Sequence, residues 1–138
     1  ASVAFFVLMF SLFVLVAMRA VRRRVVSQSA IDELATLRSE GIAILNQQPE
    51  NSSALDLTRL DTFLTAWETG WRAWATRVGA ALESNFTKAE HLSFSRLGLI
   101  TEHRFNHAVN GQHGHYLMQL AKQITVLENL IQHHQERH

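Results

Sequence analysis

Residues Ala1–Met18 read ASVAFFVLMFSLFVLVAM, and the meaning of this stretch sets the meaning of the rest. It holds no charge, no Pro and no Gly, and Ser2 and Ser11 are its only polar residues. Arg19 follows directly, then Arg22, Arg23 and Arg24. A helix over this run rises about 27 Å, close to the hydrocarbon thickness of a bilayer. It is apolar all round, whereas a helix on the core of a soluble protein is apolar along one stripe. A secretory signal carries its charge before the apolar run and a small-residue cleavage site after it; here the charge follows and no A-x-A site appears. The expectation is a transmembrane helix with its basic juxtamembrane segment over 1–26, and a tethered domain over 27–138. The sequence begins with Ala rather than Met, which leaves room for residues upstream, including a further span.

Arginines beside a membrane end favour the cytoplasmic side. Arg19, Arg22, Arg23 and Arg24 are therefore expected at the membrane interface, at headgroup level, where they attract anionic lipid. The domain that follows is expected in the cytoplasm. On that side the sequons at Asn51 and Asn85 carry no meaning.

The tethered part is one domain in length. It has no Cys, which removes disulfides and thiolate chemistry. The net charge of the whole chain is +1 with His neutral, much of the basic excess lying in the juxtamembrane arginines, so the domain is not a bulk DNA-binding module. One Pro, few Gly and many helix formers favour an all-α fold, a bundle of about four helices.

The helical signals run in order. Ser29 can cap a helix with Asp32 and Glu33 in its first turn. Ile31, Leu34, Leu37, Ile44 and Leu45 fall on one face of it. Gly41 lies on that face and allows close approach of another helix. The helix should stop near Gln47, before Pro49. Residues 47–54 read as a loop. Asp56 caps a long helix over 57–83, with Leu60, Phe63, Leu64, Trp67, Trp71, Trp74, Val78 and Leu82 along one stripe. The three Trp are read as core residues whose indole N–H groups find partners at its edge, in preference to a platform for stacking bases. Thr87 and Glu90 have the capping-box spacing, opening a short helix to about Leu97, with Gly98 as its end. From Tyr116 to His134 a seam steps by three and four through Leu117, Leu120, Ile124, Leu127 and Ile131. It fits a bundle helix or self-association of two copies.

Residues 99–115 crowd hydrogen-bonding groups around Phe105 and Val109. His103 and His107 have helical i, i+4 spacing, but no H-E-x-x-H is present and Arg104 lies inside the cluster, so no metal site is expected. There is no G-x-S-x-G, no Gly-rich phosphate loop and no paired carboxylate arrangement, so neither an enzyme nor a cofactor is expected. The remaining chemistry is anion or nucleotide binding. Arg96, Arg104 and Lys122, with His103, His107, His113 and His115, can surround phosphates, while Asn106 and Asn110 can read base edges. A symmetric oligomer multiplies such a set around its axis, which suits a cyclic nucleotide oligomer. The bland alternative is a solvated polar segment holding the bundle together.

The layout is an apolar span, a basic cluster at Arg19–Arg24 and a Cys-free helical domain. It resembles the membrane-anchored effectors of type III CRISPR antiviral systems in bacteria. The resemblance is architectural and covers the whole chain, without a signature motif. It implies an inner-membrane protein, a homo-oligomer with a tetramer favoured, and a cyclic tetra-adenylate ligand for the cytoplasmic domain. The second expectation, from another class, is a non-enzymatic structural subunit that docks on a partner through the 57–83 helix or the 117–134 seam.

Overall fold

In the computed structural model the chain is all-α. The structure describes residues 2–24, 26–49, 56–96 and 107–137, with side chains described over 3–16 and from 26 onward within those ranges. Five helices are present among the described residues: α1 Ser2–Arg24, α2 Gln28–Leu45, α3 Leu57–Asn85, α4 Lys88–Ser95 and α5 Gly111–Gln135.

The starts of α2, α3, α4 and α5 each have a side-chain cap that takes up an otherwise unpaired N–H. Ser27, not Ser29, caps α2 by accepting from Ala30 N at 3.2 Å. The earlier start lets Val26, Ala30 and Ile31 pack as a small cluster against Phe86 and Ile131. Asp56 caps α3 through Arg59 N at 2.8 Å, as expected. Thr87 and Glu90 form the expected capping box of α4. Asn110 caps α5 through His113 N at 2.8 Å, which starts that helix at Gly111 instead of Tyr116. At the other ends, α2 stops at Leu45 and α3 runs on to Asn85, each within two residues of its expected end. Residues 50–54 of the expected loop, and Leu97 and Gly98 at the expected end of α4, lie outside the described residues.

Helices α2 to α5 build the bundle. α2 packs on α3 and α5, and α4 bridges α3 and α5. Long-range bonds give the directions. Trp67 Nε1 donates to Ile44 O and Trp74 Nε1 to Leu37 O, so α3 runs antiparallel to α2. Arg38 meets Glu128 at 2.8 Å while Gly41 faces Ile124, so α5 is also antiparallel to α2. One pole of the bundle carries Leu45, Trp67 and His113. The other carries Val26, Phe86 and His134.

The core holds Leu34, Leu37, Trp67, Trp71, Trp74, Val78, Leu82, Phe94, Leu117, Leu120, Ile124 and Leu127. All three Trp are buried, and each indole N–H has its acceptor: Ile44 O, Gln123 Oε1 and Leu37 O. Their role is packing, as the stripe implied. The 117–134 seam is likewise spent inside the chain's own bundle, with Leu117, Leu120 and Leu127 fully buried. A second copy or a partner would have to associate through other surfaces.

α1 stands outside the packed helix pairs of the bundle. Its large apolar side chains from Val3 to Val16 are all exposed, from 38% at Val14 to 75% at Val3. Among the described residues no helix is long and apolar enough to cross a membrane. The described side chains of α1 cover 3–16, which rise about 21 Å against roughly 30 Å of hydrocarbon.

Candidate functional site

Of the residues expected to meet a ligand, His103, Arg104 and Asn106 lie outside the described residues, as do the side chains of Arg19, Arg22, Arg23 and Arg24, expected at a membrane interface. The others divide into two groups.

His107, Asn110 and His113 are spent on the fold. His107 Nε2 lies 2.8 Å from Leu45 O and ties the start of α5 to the end of α2. Asn110 is the cap of α5. His113 is 1% exposed and packs edge-on against Trp67 at 4.7 Å and Phe63 at 6.0 Å. Val109 N donates to its Nδ1 at 3.1 Å, which puts the ring proton of the neutral form on Nε2. That Nε2 is buried with no hydrogen-bond partner. Burial lowers the pKa of His113, and the nearby His107 lowers it further. The ring is held neutral inside the core, and its place is a positioning one rather than one facing a ligand.

Arg96, His115 and Lys122 adjoin, in sequence or through a hydrogen bond, residues that line one cleft, and none of the three is among its lining residues. This cleft lies between α3, α4 and α5 and has a volume of about 610 Å³, within the range of small-ligand sites. Trp71, Arg72, Phe94, Ser95, Gln119 and Gln123 line it. Exposed Arg96 follows Ser95 as the cap residue of α4. His115 Nε2 is 3.2 Å from Gln119 Nε2. Lys122 lies one turn beyond Gln119 on α5.

Inside the cleft the polar groups are ordered by neighbours. The Arg72 guanidinium is held by Glu68 through Nε at 3.0 Å and Nη2 at 2.8 Å. It lies over the Trp71 ring at 5.6 Å and the Tyr116 ring at 6.0 Å, within reach of cation–π contacts. Gln123 is 9% exposed, and its Oε1 accepts from Trp71 Nε1 at 2.9 Å. Sequence reasoning missed this cleft. Gln119, Gln123 and Arg72 carry no signal in the sequence, and only the packing of α3 against α5 brings them to one place.

The opposite pole carries a buried polar pair. His134 Nε2 donates to Glu90 Oε2 at 2.6 Å. Glu90 Oε1 accepts from Thr87 N at 3.1 Å and from the Thr87 hydroxyl at 2.9 Å. Burial pushes the Glu90 carboxyl up, but the hydrogen bonds from His134 and Thr87 outweigh it and leave the group below its ordinary value. Among the described residues, no group of three or more His, Asp or Glu side chains is placed to hold a metal ion.

Comparison with known protein families, with curated proteins and with solved structures returns no match to this chain.

Proposed function

We propose that the chain is a membrane-anchored effector in antiviral defence. Its cytoplasmic helical domain binds a nucleotide second messenger of the cyclic oligoadenylate type and oligomerises, as a tetramer, to perturb the inner membrane. The observation that carries this reading is α1, whose large apolar side chains from Val3 to Val16 are all exposed. Leaving each of them in water forgoes about 1.5–3 kcal/mol of burial, a sum that lipid supplies and the bundle does not. In sequence the apolar run continues through Met18 and meets the arginines there, which is the form of a span ending on the cytoplasmic side. The nucleotide part of the reading draws on Arg96, His115 and Lys122, with His103 and Arg104 between them in the sequence.

The ligand acts only by preferring one assembly state over another. The span has no polar stripe to line a water-filled pore. Damage to the membrane would therefore come from clustering of spans rather than from a selective channel.

A second reading, a structural subunit, is favoured by one feature of α3. Its first turns run beyond the core, with Leu57 85% exposed and Leu60 and Leu64 half-buried on the same stripe, a face available to a partner protein.

The test uses the full chain in lipid nanodiscs, with calorimetry and light scattering against a panel of cyclic oligonucleotides. Alkaline extraction of cell membranes tests the anchor separately. Tight binding to one panel member, with a defined change in mass, is the expected result. No binding across the panel, with a constant mass, overturns the sensor reading in favour of the subunit.

A further inference from the structure

We propose that the pocket at the pole of the bundle nearest α1 in the chain receives an acidic phospholipid, with the phosphate on Arg137 and His133 and the glycerol against Val26 and Leu130. The proposal rests on the membrane-anchor reading and not on its nucleotide part.

The pocket lies between the start of α2, the start of α4 and the end of α5, and has a volume of about 350 Å³, at the small end of ligand sites. Val26 and Leu130 give it an apolar wall. His133 and Arg137 line it from the last turn of α5 and the turn beyond, and both are exposed. Arg137 makes no ion pair among the described residues. Its guanidinium is available to an outside anion, and the planar fork matches two phosphate oxygens. His133 stands edge-on to His134 at 5.1 Å, and its ring offers an N–H in either protonation state. The carboxylate that lines the pocket is Glu90, and both of its oxygens are taken. Oε1 accepts from Thr87 N and the Thr87 hydroxyl, and Oε2 accepts from His134 Nε2. Its charge is met by those donors, while Arg137 keeps its own.

Position selects a lipid over a phosphate in solution. α1 ends at Arg24, and Val26 on the pocket wall is two residues further on. At most about 7 Å of chain separates them. In sequence the apolar run ends at Met18, with Arg19, Arg22, Arg23 and Arg24 after it. The helix rises about 9 Å from Met18 to Arg24, and a headgroup layer is roughly 5–8 Å deep. In the anchored chain the Val26 side of the pocket is therefore held at the outer edge of the headgroups, whichever way α1 leans. The four arginines gather acidic lipid beneath it. A zwitterionic lipid would bring a choline cation beside Arg137 and His133, and an acidic one does not. The apolar wall takes the glycerol, which a free phosphate lacks.

The experiment is amide hydrogen exchange on the full chain in nanodiscs, read at the last two turns of α5. One set of discs is phosphatidylcholine alone, and the other contains phosphatidylglycerol as well. A lipid held by Arg137 and His133 ties down the end of α5. Exchange there is expected to be about tenfold slower with phosphatidylglycerol, the factor for a lipid present at about ten times its dissociation constant. The double variant Arg137→Gln, His133→Gln should lose the difference. Lys88→Gln, at an exposed cation that starts α4 and does not line the pocket, should keep it. All three side chains are exposed, so the variants are expected to fold, which circular dichroism checks. Equal exchange in the two discs, or a slowing that survives the double variant, overturns the proposal. A slowing that Lys88→Gln also removes is bulk attraction of charge and overturns it too. The same slowing by sodium phosphate in phosphatidylcholine discs makes free phosphate the ligand and overturns the lipid. A chain that enters neither disc removes the anchor and the pocket with it. A chain that enters both and shows no difference loses the pocket alone and keeps the anchor.

Discussion

Gly41 lies directly beneath the indole of Trp74: a Cβ on Gly41 would sit 2.6 Å from Trp74 Cζ2 and 3.3 Å from Ile124 Cγ1. Three helices meet at this one missing side chain. Trp74 is fully buried and anchored at 2.7 Å to Leu37 O, so the ring has no room to retreat. Gly41→Ala is therefore expected to destabilise the domain by about 1–3 kcal/mol, the cost of overpacking a filled core. Gly70 supplies the contrast. It is exposed in the interior of α3, with nothing within 4 Å of its added Cβ. Gly70→Ala is expected to stabilise by about 0.5–1 kcal/mol. Denaturant midpoints of the two variants should move in opposite directions.

The Trp71–Gln123 bond makes a paired prediction. Trp71→Phe leaves the buried Gln123 Oε1 without its donor, and is expected to cost about 1–3 kcal/mol beyond the lost ring area. Gln123→Leu strands the indole N–H in the same way. The double variant removes both ends, and should cost less than the sum of the two singles. A double-mutant cycle on unfolding free energies measures the difference.

His113 gives the domain a pH dependence whose sign is fixed. Burial and His107 hold its folded pKa below the ordinary value, which is about 6.5 in an unfolded chain. Between those two values the unfolded state binds more protons, so stability rises with pH there. The contribution is complete above about pH 6.5 and is lost as pH falls below it. Glu90, also held low, adds a loss only at more acid pH, below the ordinary carboxylate value of 4.5. Urea midpoints between pH 7.5 and 5 should fall, and the slope should flatten in His113→Phe.

At the other pole, Thr87→Ala removes the hydroxyl that accepts from Glu90 N at 3.2 Å. It is expected to cost about 1 kcal/mol. Glu90→Ala should cost more, about 2–3 kcal/mol, because it also leaves the buried His134 N–H unpaired. Thermal unfolding of the two variants checks the order.

The bundle was readable in the sequence wherever it depends on period. The stripe from Trp67 to Leu82 and the seam from Leu117 to Leu127 are core because spacing by three and four puts residues on one face. Gly41 stood out for the same reason, as the gap in an apolar face. Caps were read less well. Ser27 and Ser29 are both competent, and only the packing of Val26 under Phe86 chooses the first. Asn110–Gly111 reads as a turn, because the groups that make a turn also cap a helix. What could not be read was pairing across the chain. His134 and Glu90, or Arg38 and Glu128, are far apart in sequence and follow no period. The candidate site divided along the same line: the polar residues of 96–122 were visible, but that His107, Asn110 and His113 hold the fold while Arg72, Gln119 and Gln123 line a cleft needed the helices assembled.

Glu90 ties the capping box of α4 to His134 in the last turns of α5 with a single carboxylate. α4 is eight residues long, and its far end supplies Phe94 and Ser95 to the cleft. A lever about 12 Å long thus runs from the pole where the chain leaves α1 to the wall of the cleft. Fraying of the last turn of α5 would remove that hold on the end of α4 opposite Phe94 and Ser95.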